Sequence, residues 1–236
     1  MAGFATTHWS VILQAGEADS DRARHALEHI CERYWYPLYA YVRRLGYDPH
    51  AAADATQSFF LHLHQTALVT KVDPAAGRFR TFLLTSLKYH LLSERKRESA
   101  LKRGGGATLL SLDEADAEGR FVNEPCDGRS PDLLFERSWV MNLLDEALGR
   151  LEKEYQSDGH QALFDHLQPA RIKEEPAPSY RAIAEVLGVT EGSVKVSIHR
   201  MRQRYREILT GLVASTVPEA GEVEQELRHL LKVLAG

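Results

Sequence analysis

Residues 179–202 read Ser179-Tyr-Arg-Ala-Ile-Ala-Glu-Val-Leu-Gly-Val-Thr-Glu-Gly-Ser-Val-Lys-Val-Ser-Ile-His-Arg-Met-Arg202, and this stretch decides the fold. Ser179 follows Pro178 and can cap a helix by accepting a hydrogen bond from an unpaired backbone N–H. Ala182, Ile183, Val186 and Leu187 are the expected buried side of that helix. Gly188 falls where a left-handed turn is cheap only for glycine, and Thr190 can cap a second helix. In that helix Val194, Ile198, Met201, Tyr205 and Ile208 recur at steps of 4, 3, 4 and 3, one helical face. The other side offers Ser193, Lys195, Ser197, Arg200 and Arg204. The pattern predicts a helix-turn-helix with one buried face and one face of hydroxyls and cations. Such a face suits a major groove, where Ser and Thr bond phosphates or bases and Arg reads guanine. A plain helical hairpin with a charged surface is the alternative.

Working outward, Glu219 to Leu234 predicts an amphipathic helix with Val223, Leu227, Leu230, Leu231 and Leu234 on one side. It is expected to pack on its own domain, with docking of a regulator as the alternative. Upstream, Pro169, Pro176 and Pro178 interrupt the chain after a helix over His160 to Leu167. Another helix resumes near Leu133, with a stripe of Val140, Leu143, Leu144, Ala147, Leu148 and Leu151. In the N-terminal half, Arg22–Leu45 predicts a helix that Pro37 should break or kink near Tyr36. A second helix covers Ala51–Gln65, and a third runs from about Phe79 to Leu101 before Gly104-Gly105-Gly106. No strand alternation is convincing. The expected fold is all-α: a helical domain over 1–106, an acidic flexible linker over 107–132, a helix-turn-helix domain over 133–216 and a C-terminal amphipathic helix over 217–236.

The chain has 236 residues, 44% hydrophobic and 26% charged, ordinary for a globular protein. No run of about 18 apolar residues exists for a membrane span, and Met1 to Ser10 lacks a signal-peptide pattern. Cys31 and Cys126 stand far apart, which excludes a disulfide scaffold or Cys-based zinc site and suits a reduced cytoplasmic protein. The net charge of -4 hides segregation. Arg78 to Gly106 carries eight basic residues against two acids, Ala107 to Glu136 two against eight, and Lys195 to Arg206 five against none. Two basic blocks flanking an acidic one, each beside a helical motif, point to nucleic acid.

On these residues the C-terminal segment resembles the promoter-binding region-four domain of bacterial RNA polymerase sigma factors. The shared positions are Tyr180, Ile183, Ala184, Leu187, Gly188, Val189, Gly192, Val194, Lys195, Arg200 and Arg202, with Ser193 replacing Thr and Val196-Ser197 replacing Ser-Arg. Ala51-Ala-Ala-Asp-Ala-Thr-Gln-Ser-Phe-Phe60 and Phe79-Arg-Thr-Phe-Leu83 resemble region two. Two domains and a linker are similar to the extracytoplasmic-function group. The resemblance covers about 22–103 and 133–213. It implies a non-enzymatic, cofactor-free and metal-free cytoplasmic factor that binds core RNA polymerase and promoter DNA to initiate transcription.

The resemblance assigns Asp54, Gln57 and Phe60 to the polymerase clamp. It assigns Arg80, Lys88, Tyr89, His90, Arg95, Lys96 and Arg97 to minus-ten DNA, the cations tracking phosphates while Tyr89 or His90 takes an unstacked base. Thr190, Ser193, Lys195, Ser197, Arg200, Arg202 and Arg204 fall to minus-thirty-five DNA. The acidic linker would thread polymerase channels or act as a plain tether. Ala51, Ala53 and Ser58 stand where relatives carry carboxylates. This makes Thr56 and Ser58 candidate phosphorylation sites, with a Ser/Thr kinase or an anti-sigma factor as the implied regulator. The alternative function is a stand-alone helix-turn-helix regulator. Enzyme motifs are missing: His62 and His64 point to different helix sides, Gly104–Gly106 lacks a phosphate-loop Lys, and no Gly-x-Ser-x-Gly occurs.

Overall fold

The computed structural model describes residues 20–66, 78–100, 114–123, 128–172, 179–217 and 219–235, and among these every regular element is a helix. The expectations for Met1–Ser10, the Gly104–Gly106 terminator, Cys126, Pro176 and Pro178 lie outside the described residues. So does the side chain of Arg97.

Helix α1 spans Ser20–Arg44 and runs through Pro37. Proline removes one backbone bond and costs about 3 kcal/mol inside a helix. Here every side chain from Tyr34 to Val42 is buried. Tyr34, Leu38, Tyr39 and Val42 are almost completely enclosed, and at about 1.5–3 kcal/mol each their burial outweighs the proline. Helix α2, Pro49–Gln65, starts where Asp48 accepts from the Ala51 N–H at 2.9 Å, with Pro49 at the first helical position. Helix α3 spans Phe79–Ala100. The aromatic pairs Tyr34–Phe79 (5.6 Å) and Phe59–His90 (5.8 Å) tie α3 to α1 and α2.

Part of the expected acidic linker is helix α4, Glu114–Asn123. Ala117 is buried, and Glu118 accepts from Arg43 Nε (2.9 Å), Arg43 Nη2 (2.7 Å) and the Tyr39 hydroxyl (2.5 Å). Phe121 lies under the Arg43 and Arg44 guanidiniums at 4.7 and 5.1 Å, and Arg120 covers Tyr36 at 3.9 Å. An acidic composition resembles a tether only while its acids lack partners; α1 supplies them. Burial and then the Glu118 hydrogen bond push the Tyr39 hydroxyl pKa up, while Arg43 holds the Glu118 carboxyl below its usual range.

Helix α5, Pro131–Ser157, is continuous and buries Val140, Leu143, Ala147 and Leu151 of the expected stripe. Helix α6, Gln161–Ile172, runs past Pro169 rather than stopping before it. Helices α7, Tyr180–Leu187, and α8, Glu191–Ala214, follow; a short 3-10 turn at Ala220–Glu222 leads into α9, Val223–Ala235.

The chain divides into two compact units: unit 1 is 1–141 with 214–236, and unit 2 is 142–213. This differs from the expected division at 132/133. It also returns the tail helix to the N-terminal unit instead of its own domain. The reason is a charge match: Glu226 meets Arg78 and Arg80 at 2.5 Å each, while Arg137 donates to the Leu234 carbonyl at 3.3 Å. The buried face of α9 is Glu226, Leu230 and Val233, whereas Leu231 of the expected stripe is 66% exposed.

Candidate nucleic-acid interface

In unit 2, Ser179 Oγ accepts from the Ala182 N–H at 3.1 Å and so caps α7. Gly188 ends that helix in the left-handed conformation, φ 65° and ψ 30°, its N–H bonded to the Ala184 carbonyl. Space does not demand glycine there, since a Cβ would meet nothing within 4 Å; the backbone angle does. The buried side of α7 is Ile183 and Ala184, with Tyr180 and Leu187 half-buried. Ala182 and Val186, expected inside, are exposed. Eight residues hold too few turns for period alone to choose the face.

Thr190 Oγ1 accepts from the Ser193 N–H at 3.1 Å and lies 2.9 Å from its hydroxyl, so both assigned residues also serve the cap of α8. The expected stripe holds: Val194, Ile198, Met201 and Ile208 are buried and Tyr205 is half-buried, donating to the Leu144 carbonyl at 3.3 Å. At about 100° per residue, the cations fall on two flanks rather than one. Ser193, Ser197, Arg200 and Arg204 share one; Lys195, Arg202 and Arg206 share the other. Val196 is 50% exposed between them.

Lys195 pairs with Glu191 at 3.2 Å one turn away. Arg204 is committed within unit 2: it donates to both Glu154 oxygens (2.8 and 2.7 Å) and to Glu207 at 3.0 Å. The pairing lowers the Glu154 pKa and raises that of Arg204. Arg204, assigned to DNA, is half exposed with its planar fork on Glu154, fifty positions away in sequence. Arg200 and Arg206 are exposed and take no ion pair or hydrogen bond among the described residues.

In unit 1 the residues assigned to minus-ten DNA separate. Tyr89 is 68% and Leu92 54% exposed on α3, followed by exposed Arg95 and Lys96. Arg95 Nε donates to the Tyr47 hydroxyl at 3.1 Å and its guanidinium covers that ring. Lys88, half-buried, is hydrogen-bonded to Asp132, which raises its pKa. Arg80 is 2% exposed, bound to Glu226, 3.7 Å from Glu136 and stacked 4.5 Å from the Trp139 ring centroid. His90 is buried, its Nε2 3.1 Å from Ser58 Oγ and its ring 5.2 Å from His62. These two are corrected to interior roles.

On α2, Asp54 is exposed and Gln57 half-buried, but Phe60 is buried and packs beside Phe59. Thr56 is fully buried and donates to the Ala52 carbonyl at 2.7 Å, so it presents no hydroxyl to a kinase; Ser58 is half-buried. The sequence reading missed Glu118, Glu154, Glu226 and Trp139. Their only local signal was an acid or aromatic beside an apolar stripe.

Among the described residues no helix is long and apolar enough to cross a membrane, and no group of three or more His, Cys, Asp or Glu could hold a metal. Burial, with Glu28 and Glu32 nearby, pushes the Cys31 thiol up to about 12, far from thiolate chemistry. No family model, curated protein or solved structure matches the chain.

Proposed function

We propose that this chain is a sigma-type initiation factor that binds core RNA polymerase and promoter DNA. In this reading α7, Gly188 and α8 form a DNA-binding helix-turn-helix. The N-terminal turns of α8 enter the minus-thirty-five major groove, where Lys195 and Arg200 approach from opposite flanks. Tyr89 and Leu92, edged by Arg95 and Lys96, meet the unstacked minus-ten strand. Asp54 and Gln57 are the exposed part of the clamp contact. The factor is cytoplasmic, needs no cofactor and performs no catalysis; of Thr56 and Ser58, half-buried Ser58 is the less enclosed hydroxyl for a kinase.

The observation that most supports the reading is the α7–α8 turn. Two helices capped by Ser179 and Thr190, joined at a left-handed Gly188, bury one stripe and leave Arg200 exposed. The test is run-off transcription with purified core polymerase on a promoter library. Selected transcripts that vanish when the chain is omitted are the expected result. Tight sequence-specific DNA binding without any core polymerase binding would replace it with the stand-alone regulator.

A further inference from the structure

We infer that α9 is a releasable cis cover over a phosphate-binding pair, Arg78 and Arg80, with the Glu226 carboxylate occupying the position of a nucleic-acid phosphate. The inference rests on the nucleic-acid reading above and adds a regulatory element to it. Glu226 is 1% exposed, and its oxygens stand 2.5 Å from both guanidiniums. Carboxylate and phosphate are both oxyanions that an Arg fork binds through paired N–H groups.

The seat joins this charge to a modest apolar contact: Leu230 and Val233 are buried, Val223, Leu227 and Leu234 are half-buried, and Leu231 faces out. His229 contacts Glu136 at 3.1 Å, and the Leu234 carbonyl takes Arg137. The hydrogen bonding is incomplete: Arg80 Nε and Nη2 are buried without a hydrogen bond. A buried pair whose donors are only partly satisfied holds less firmly than a complete network. A phosphate offers more acceptor oxygens than the carboxylate it would replace.

With α9 seated, the Glu226 carboxylate pairs with both Arg78 and Arg80. With α9 released, both guanidiniums open at the start of α3.

The test is fluorescence anisotropy of a labelled single-stranded oligonucleotide with the full chain, from low to physiological salt. Glu226→Gln is expected to bind at least about fivefold tighter than wild type. Its log–log salt slope should be steeper by about 1.4, two extra phosphates at about 0.7 each. Adding Arg78→Gln and Arg80→Gln should abolish both gains. If Glu226→Gln gives no cooperative thermal transition, Val233→Ser carries the same expectation, since it weakens the seat without touching the ion pair. Unchanged affinity and slope in a folded variant overturns the proposal; so does loss of folding in both variants, which makes α9 structural. A factor that fails to bind polymerase would sink the initiation reading yet leave this anisotropy difference intact.

Discussion

Helices α3 and α8 carry the two basic blocks of the chain, and the structure treats them oppositely. On α3, Arg80 is enclosed by Glu226, Glu136 and Trp139, and Lys88 is held by Asp132. On α8, exposed Lys195 pairs with Glu191 one turn back and lies 5.9 Å from the Tyr180 ring centroid, while Arg200 and Arg206 face solvent. The difference lies in where the acids come from. The partners on α3 arrive from 44 and 146 positions away, whereas most of those on α8 are its own neighbours. A local charge count thus measures the exposed cations of α8 well and overstates those of α3. Arg204 is the exception on α8, captured by Glu154.

The strongest way to break this comparison is to insert charge into each interior. Val194→Asp and Thr56→Glu each bury a carboxylate with no partner, at positions 1% and 0% exposed. Each should cost about 3–5 kcal/mol. Hydrogen exchange should show α7 and α8 opening in the first and α2 in the second. Thr56→Glu should not mimic an activating phosphate; polymerase binding that rises in a stably folded Thr56→Glu protein would show the hydroxyl to be reachable after all.

A smaller effect sharpens the contrast on the surface. Arg200→Ala and Lys195→Ala should each weaken promoter binding by about 1–3 kcal/mol while moving thermal stability by less than about 0.5 kcal/mol. Promoter footprinting and a melting curve on the same samples separate the two. An unaltered footprint in both variants would mean that α8 presents a different face.

Acid offers a further probe, confined to unit 1. Arg43 holds the Glu118 pKa below its ordinary value. Its contribution is therefore complete above the unfolded value of about 4.3 and fades as pH falls through the folded value. A falling-pH titration should undock α4 first, seen as exchange of the Glu114–Asn123 amides, with a stake of about 1 kcal/mol for this partly exposed pair. Glu118→Gln should bring the same loss at neutral pH. The smallest expected effect is Arg204→Ala, which removes an exposed pair and should cost about 0.2–1 kcal/mol of unit 2 stability with little change in DNA affinity.

Much of the architecture was legible in the sequence because helices announce themselves over short distances. Three- and four-residue spacing located α1, α5 and α8, start and stop residues located α2 and α3, and the expected stripe of α8 is buried at Val194, Ile198, Met201 and Ile208 and half-buried at Tyr205. Ser179, Gly188 and Thr190 act within three or four positions of themselves, so the turn they build follows from order alone. The reading failed where the deciding partner was remote or the helix short. Pro37 breaks an isolated helix, but the buried cluster from Tyr34 to Val42 holds this one together. The eight residues of α7 left two faces open, and tertiary packing chose Ile183 and Ala184. An acidic segment read as a tether contains a helix because Arg43 and Tyr39 receive Glu118. The tail's amphipathic period was visible, but its buried face turned from Leu227 to Glu226 because Arg78 and Arg80, at the start of α3, meet a carboxylate there. Local period and capping belong to neighbours along the chain. The fate of a charge belongs to whatever folding brings beside it, and only the tertiary structure decided that Arg80 is interior and Arg200 is not.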